Sequence, residues 1–251
     1  MTPFLKQVAD HYYNLGKIED KCFVFPNRRS MVWFRKHLCE AVKDVPLLVP
    51  QMMTINDLFA KASGVVSGDR VRLLLELYDS YKELNPKAES LDEFIFWGDV
   101  ILGDFNDVDK YLVDAGQLFA NVVDFKALQD TFEYLTETQR EAIKGFLSHF
   151  NDQSGKLTVD LGSDDPDVKG RFLQIWNILY PLYVNYNKAL IDKGMAYEGM
   201  LYRSLAQRLK DIPVADVFEG IFPEGTSFVF VGLNALNECE KTLLRKLRDS
   251  G

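Results

Sequence analysis

A chain of 251 residues is long enough to bury a substantial core, as one large domain or two smaller ones. Its composition, 47% hydrophobic and 26% charged, is that of an ordinary globular protein. No stretch approaches the run of about 20 apolar residues that a membrane helix needs. The formal charge of −8 argues against a strongly basic nucleic-acid clamp.

Charge is unevenly placed. Residues 17–43 hold seven Lys/Arg (Lys17, Lys21, Arg28, Arg29, Arg35, Lys36, Lys43) against three acids. Residues 91–130 hold nine acids against Lys110 and Lys126. The first block could meet an anion; the second would repel one. The N-terminus, Met1-Thr2-Pro3-Phe4-Leu5-Lys6, lacks a charged region followed by an apolar one, so secretion is not expected. Cys22, Cys39 and Cys239 form no CxxC, and an odd count reads as reduced thiols in the cytoplasm.

In chain order, residues 3–15 place Phe4, Leu5, Val8, Tyr12 and Leu15 at helical spacing, with Gly16 as the cap. Cys22-Phe23-Val24-Phe25 is a short buried strand, Pro26–Arg29 a turn, and a helix follows from about Ser30 with Met31, Phe34, Leu38 and Val42 on one stripe. Pro46–Val49 (PLLV) is expected to be a second strand. Thr54 caps the next helix, with Asp57 three residues on completing a capping box. Two strand-then-helix units predict the start of a parallel sheet.

After Gly64 the period turns helical. Leu73, Leu74, Leu77 and Tyr81 mark one helix, stopped by Asn85-Pro86, and Leu91–Leu102 marks another. Residues 138–150 and 168–193 predict further helices, separated by a loop at 151–167, with a kink or break at Pro181. The α/β pattern returns with a turn at Phe222–Gly225, an apolar strand Ser227–Val231, a loop Gly232–Leu236 and a helix Asn237–Leu247. The expected organisation is an α/β domain from 1–64 and 213–251, with 65–212 as an inserted helical subdomain. Open parallel sheets usually hold about five or six strands, so three suggest a piece of a longer protein.

A strand feeding a turn into a helix is where α/β proteins place phosphate-binding loops. Such a loop needs glycines, so that consecutive N–H groups converge, and a lysine to reach the terminal phosphates. No glycine lies between Gly16 and Gly64, and the turn offers Asn27, Arg28, Arg29 and Ser30 instead. Two readings stand here: a solvated turn with surface ion pairs, or a phosphate contact favoured by the helix dipole and two fixed cations. Thr54 and Asn56 occupy the next such turn and are secondary anion candidates.

The tip of the last strand, Gly232-Leu233-Asn234, is where a P-loop NTPase carries an Asp for Mg²⁺. It holds no carboxylate before Glu238, and Glu238 and Glu240 are expected to face solvent on the following helix. His11, His37 and His149 share no metal-ligand spacing. Asp167-Val168-Lys169 has the form of a nuclease Asp-x-Lys element but sits in an acidic loop without a strand, where chance explains it better. No catalytic residue and no metal ligand is assigned. The aromatic-rich helices (Tyr180, Tyr183, Tyr186; Phe94, Phe96, Trp97) read as core rather than base-stacking platforms.

FVFPNRRS (23–30), Pro50–Phe59, WGDVILGDFNDVD (97–109), GMAYEGMLYRSLA (194–206) and FVFVGLNALNECEK (228–241) together resemble the N-terminal region of the AddB-type subunit of bacterial helicase–nucleases. The likeness is to the Bacteroidetes-type proteins, inactivated superfamily I helicases with a PD-(D/E)XK nuclease domain. It implies a RecA-like (P-loop NTPase-like) α/β domain interrupted by a helical insertion, no longer hydrolysing ATP and needing no cofactor in this segment. It also implies contact with DNA, single-stranded or at a duplex end, a motor helicase subunit as partner, and a nuclease domain beyond this segment. Where active relatives have Gly-Lys-Thr this chain has Asn27–Ser30, and where they have Asp-Glu it has Gly232-Leu233. The rival readings are an active ATP-binding helicase module and a protein-interaction module docking on a motor subunit.

Overall fold

The structure, a computed structural model, describes residues 2–42, 46–86, 88, 90–119 and 166–250, the backbone alone for 166–177. It is mixed α/β and mostly helical. Two compact units divide the chain: residues 1–66 with 201–251, and residues 67–200.

The first unit is built on a three-stranded parallel sheet. α1 (Phe4–Leu15) ends at Gly16, whose φ of 75° suits a residue without Cβ. A 3-10 turn (Ile18–Asp20) leads into β1 (Lys21–Phe25), followed by α2 (Arg28–Val42), β2 (Gln51–Thr54) and α3 (Ile55–Ser63). The chain returns through the end of α7 (Glu198–Asp211), then α8 (Val214–Phe218), β5 (Ser227–Phe230) and α9 (Glu238–Asp249).

Strand order is β2-β1-β5, all parallel, with Phe25 opposite Thr54 on one side and Val24 opposite Phe230 on the other. Central β1 is covered on both faces, which is why Cys22, Phe23, Val24 and Phe25 can all be apolar and fully buried. Phe23 and Phe25 meet Phe34, with ring centroids 4.7 and 5.1 Å away, in a core shared with Ala9, Ile18, Leu38 and Val231. On the opposite face α3 lies against β1 and β2, while Phe218 and Phe222 meet Phe228.

Three expectations are corrected here. The second strand is Gln51–Thr54, and Leu48 and Val49 are 76% and 65% exposed. PLLV is bracketed by Pro46 and Pro50, which donate no ladder hydrogen bond. α2 begins at Arg28, two residues before Ser30, because Asn27 caps it. Glu240 is buried rather than solvent-facing, since its carboxylate accepts from Asn237 N–H at 3.0 Å in a capping box.

The second unit is helical. α4 (Arg70–Leu84), α5 (Leu91–Lys110) and α6 (Pro166–Asp192) enclose a core of Leu73, Leu77, Phe94, Ile101, Phe105, Leu182, Tyr186 and Leu190. β3 (Val66–Ser67) and β4 (Met195–Ala196) pair where the chain enters and leaves it. α5 continues past Leu102, because Phe105 and Val108 extend its apolar stripe. α6 runs unbroken through Pro181 and already includes Asp167-Val168-Lys169, which therefore lie in a helix and not a loop. The helix expected at 138–150 and most of the loop at 151–167 lie outside the described residues.

One cluster ties this unit together. Asp109 is fully buried on α5, and its two carboxylate oxygens accept from Tyr183 and Tyr197, each at 2.5 Å. Asn106, one turn earlier, accepts from Gly199 N–H at 2.7 Å, and Lys110 pairs with Glu198 at 2.6 Å. Gly199 is obligatory at this crossing, since a Cβ there would sit 2.7 Å from the Asn106 carbonyl oxygen. The two motifs 97–109 and 194–206 thus meet as a structural clamp.

Candidate anion site at the strand tips

The sheet's connectivity fixes where a ligand would lie. From β1 the chain crosses to β2 on one side, and the last strand, β5, lies on the other. Strand order therefore reverses at β1. In open α/β sheets the crevice at such a switch point, beyond the carboxyl ends of the strands, is the usual ligand site. Here it falls between the loop after Phe25 and the loop after Phe230.

The two tips are neighbours. Val231 N–H donates to the Val24 carbonyl at 2.9 Å, one residue before Gly232. Asn27, Arg28 and Arg29 on one tip and Gly232 and Asn234 on the other are exposed; Ser30 and Leu233 are half-buried. Gly232 has φ +73°, a left-handed turn in which a side chain would be strained although space is available, with Phe4 the nearest neighbour at 3.8 Å.

The first tip is a helix start with its own cap. Asn27 Oδ1 accepts from Ser30 N–H at 2.9 Å and from the Ser30 hydroxyl at 3.1 Å. Both Ser30 donors are thereby engaged. Arg28 and Arg29 stand in the first turn of α2, exposed and without an ion-pair partner among the described residues. The bland reading of this turn required surface ion pairs, and these arginines make none there.

Thr54 and Asn56 are committed elsewhere. Thr54 is buried, its hydroxyl donating to Asp57 Oδ2 at 2.7 Å and accepting from Asp57 N–H at 3.1 Å. Asn56 Oδ1 accepts from the Tyr202 hydroxyl, and the Tyr202 ring stacks on Phe59 at 3.8 Å. Any anion chemistry at the tips rests on Arg28 and Arg29.

Acids near the second tip are also engaged. Asn237 and Glu240 cap α9, and Glu238 pairs with Lys241 at 2.7 Å, which holds its carboxyl below the usual range. Cys22 lies within β1, where burial pushes its thiol up to about 11 and leaves it a poor nucleophile. Among the described residues no group of three His, Cys, Asp or Glu could hold a metal ion, and no helix is long and apolar enough to cross a membrane. Sequence reasoning missed Asp109, counting it among acids that repel an anion, and missed the Asn237-x-x-Glu240 capping signature. Neither a protein-family model, nor a curated protein, nor a solved structure matches the chain.

Proposed function

We propose that this chain is a degenerate helicase-type module of an AddB-like, DNA end-processing helicase–nuclease subunit. In this reading its first unit is RecA-like, and Arg28 and Arg29 contact nucleic-acid phosphates without ATP chemistry. The observation that carries the reading is the adjacency of the two tips at the switch point of a parallel sheet. A triphosphate and its magnesium would need a lysine on the first tip and an acid on the second; these tips hold Asn27-Arg28-Arg29-Ser30 and Gly232-Leu233-Asn234.

The module holds or scans single-stranded DNA or a duplex end in the cytoplasm while a partner motor subunit translocates. Nuclease activity belongs to a domain beyond this segment. The test is fluorescence anisotropy with labelled oligo-dT at several salt concentrations. Two phosphate contacts predict a slope of log K on log salt near −1.4, from about −0.7 per contact on single strands. Arg28→Ala/Arg29→Ala should remove most of that dependence. Tight Mg-ATP binding by calorimetry, lost in the same double variant, would refute the inactive-site reading and favour an active ATP-binding module.

A further inference from the structure

The outward face of α2 carries a second feature that the strand-tip reading does not use. With Phe34 and Leu38 turned into the core, the helical period leaves Arg29, Val32, Trp33 and Lys36 facing outward. Val32 is 62% exposed and Trp33 47% exposed. The Lys36 ammonium lies 4.9 Å from the Trp33 ring centroid, and the His37 ring flanks the indole at 6.0 Å. His37 is in turn hydrogen-bonded to Glu40 at 3.0 Å. These neighbours brace a large apolar ring at the surface.

Of the surrounding cations, Lys36 is held over the Trp33 ring, and Arg35 is exposed with no ion-pair partner among the described residues. On other helices Lys82, Lys110, Lys193 and Lys241 are each paired with a carboxylate. In a chain of net charge −8, an exposed Trp and Val beside the cations of Arg35 and Lys36 is complementary to an acidic surface with apolar anchors. Trp and Arg are also the residues most enriched where interfaces concentrate their binding energy.

We propose that this face docks an acidic amphipathic helix of a partner protein. Its apolar side chains at i, i+3 and i+4 cover Val32 and Trp33, and its carboxylates pair with Arg35 and Lys36. A nucleic-acid strand fits less well. Val32 offers nothing to a phosphate, and Lys36 lies over the indole face on which a base would stack. The inference stands apart from the strand-tip reading, because its test leaves Arg28 and Arg29 in place.

The probe is a fluorescein-labelled, helical two-heptad peptide of Glu and Leu, titrated with the full chain by anisotropy. A Lys/Leu peptide of the same pattern and labelled oligo-dT are run alongside. The Glu/Leu peptide should bind and the Lys/Leu peptide should not. Trp33→Ala should weaken binding about tenfold or more, and Arg35→Glu/Lys36→Glu should abolish it. Trp33, Arg35 and Lys36 are all exposed, and circular dichroism checks that both variants keep the parent helicity. Failure of the Glu/Leu peptide to bind, or binding that survives both variants, overturns the proposal. So does oligo-dT bound through Trp33 and Lys36 in place of the peptide.

Discussion

The buried carboxylate of Asp109 offers the sharpest test of what holds the helical unit together. Tyr197→Phe removes one hydroxyl and leaves a fully buried carboxylate with one donor fewer. A hydrogen bond to a charged group contributes about 1.5–3 kcal/mol, so a loss of about 2 kcal/mol is expected. Tyr183→Phe should cost less, about 1 kcal/mol, because Tyr183 is only half-buried and water can replace its hydroxyl. Asp109→Ala removes the acceptor of both hydroxyls and should cost about 3 kcal/mol.

The decisive comparison is Tyr197→Phe in the Asp109→Ala background. With Asp109 gone the hydroxyl keeps only its bond with Asn187, so deleting it should cost clearly less than in the parent. Urea denaturation reads this, with Trp33→Phe and Trp176→Phe making Trp97 the sole reporter; Trp97 packs on Phe94 and Tyr81 in the same unit. With a slope of about 2 kcal/mol/M, Tyr197→Phe should lower the midpoint by about 1 M in the parent and by clearly less beside Asp109→Ala. An equal loss in both backgrounds would show that ring packing, and not the bond to Asp109, carries the effect.

Other perturbations probe the remaining assignments. Thr54→Ala breaks the capping box of α3 and should destabilise the first unit by about 1 kcal/mol, measured by urea denaturation with Trp97→Phe and Trp176→Phe leaving Trp33 as the reporter. Leu48→Ser should change stability by under about 0.5 kcal/mol, whereas Phe23→Ala should cost about 3–5 kcal/mol; a large Leu48 effect would restore PLLV as a strand. Burial raises the pKa of the Tyr186 and Tyr197 hydroxyls above the ordinary 10.0. The folded state therefore keeps these protons longer than the unfolded state. Their stabilisation is complete below pH 10 and declines above it by about 1.4 kcal/mol per pH unit for each group. Denaturation midpoints at pH 9 and pH 11 test this, and equal midpoints would contradict it.

Much of the first unit was legible because its signals are local. Four consecutive apolar residues at Cys22–Phe25 can only be a strand covered on both faces, and Thr54-x-x-Asp57 announces its own helix start. Local signals also misled. PLLV has the stronger apolar run, but Gln51–Thr54 has the backbone donors that a parallel ladder needs. The helix expected over Leu91–Leu102 runs on to Lys110, because Phe105 and Val108 continue the three- and four-residue steps of its apolar stripe through an acidic stretch. Asp109 was illegible for a different reason. Its partners Tyr183 and Tyr197 lie 74 and 88 residues away, and no spacing rule links a carboxylate to hydroxyls at that separation.

The strand tips show how far a site can be read from residue types alone. The absence of glycine and lysine after Phe25 was evident in the sequence; what fills the turn instead was not. A phosphate cradle works by leaving backbone N–H groups at a helix start free to converge on a ligand. Here Asn27 Oδ1 takes the Ser30 N–H for itself. An anion arriving at this turn competes with a cap that is already made, worth about 1 kcal/mol, and finds its compensation in the two arginine side chains. Such an exchange disfavours a buried, converging triphosphate grip. It suits shallow contacts made by Arg28 and Arg29 from the surface, weak singly and sensitive to salt. A self-capped turn at the switch point of the sheet thus holds a different kind of ligand from an open cradle at the same place.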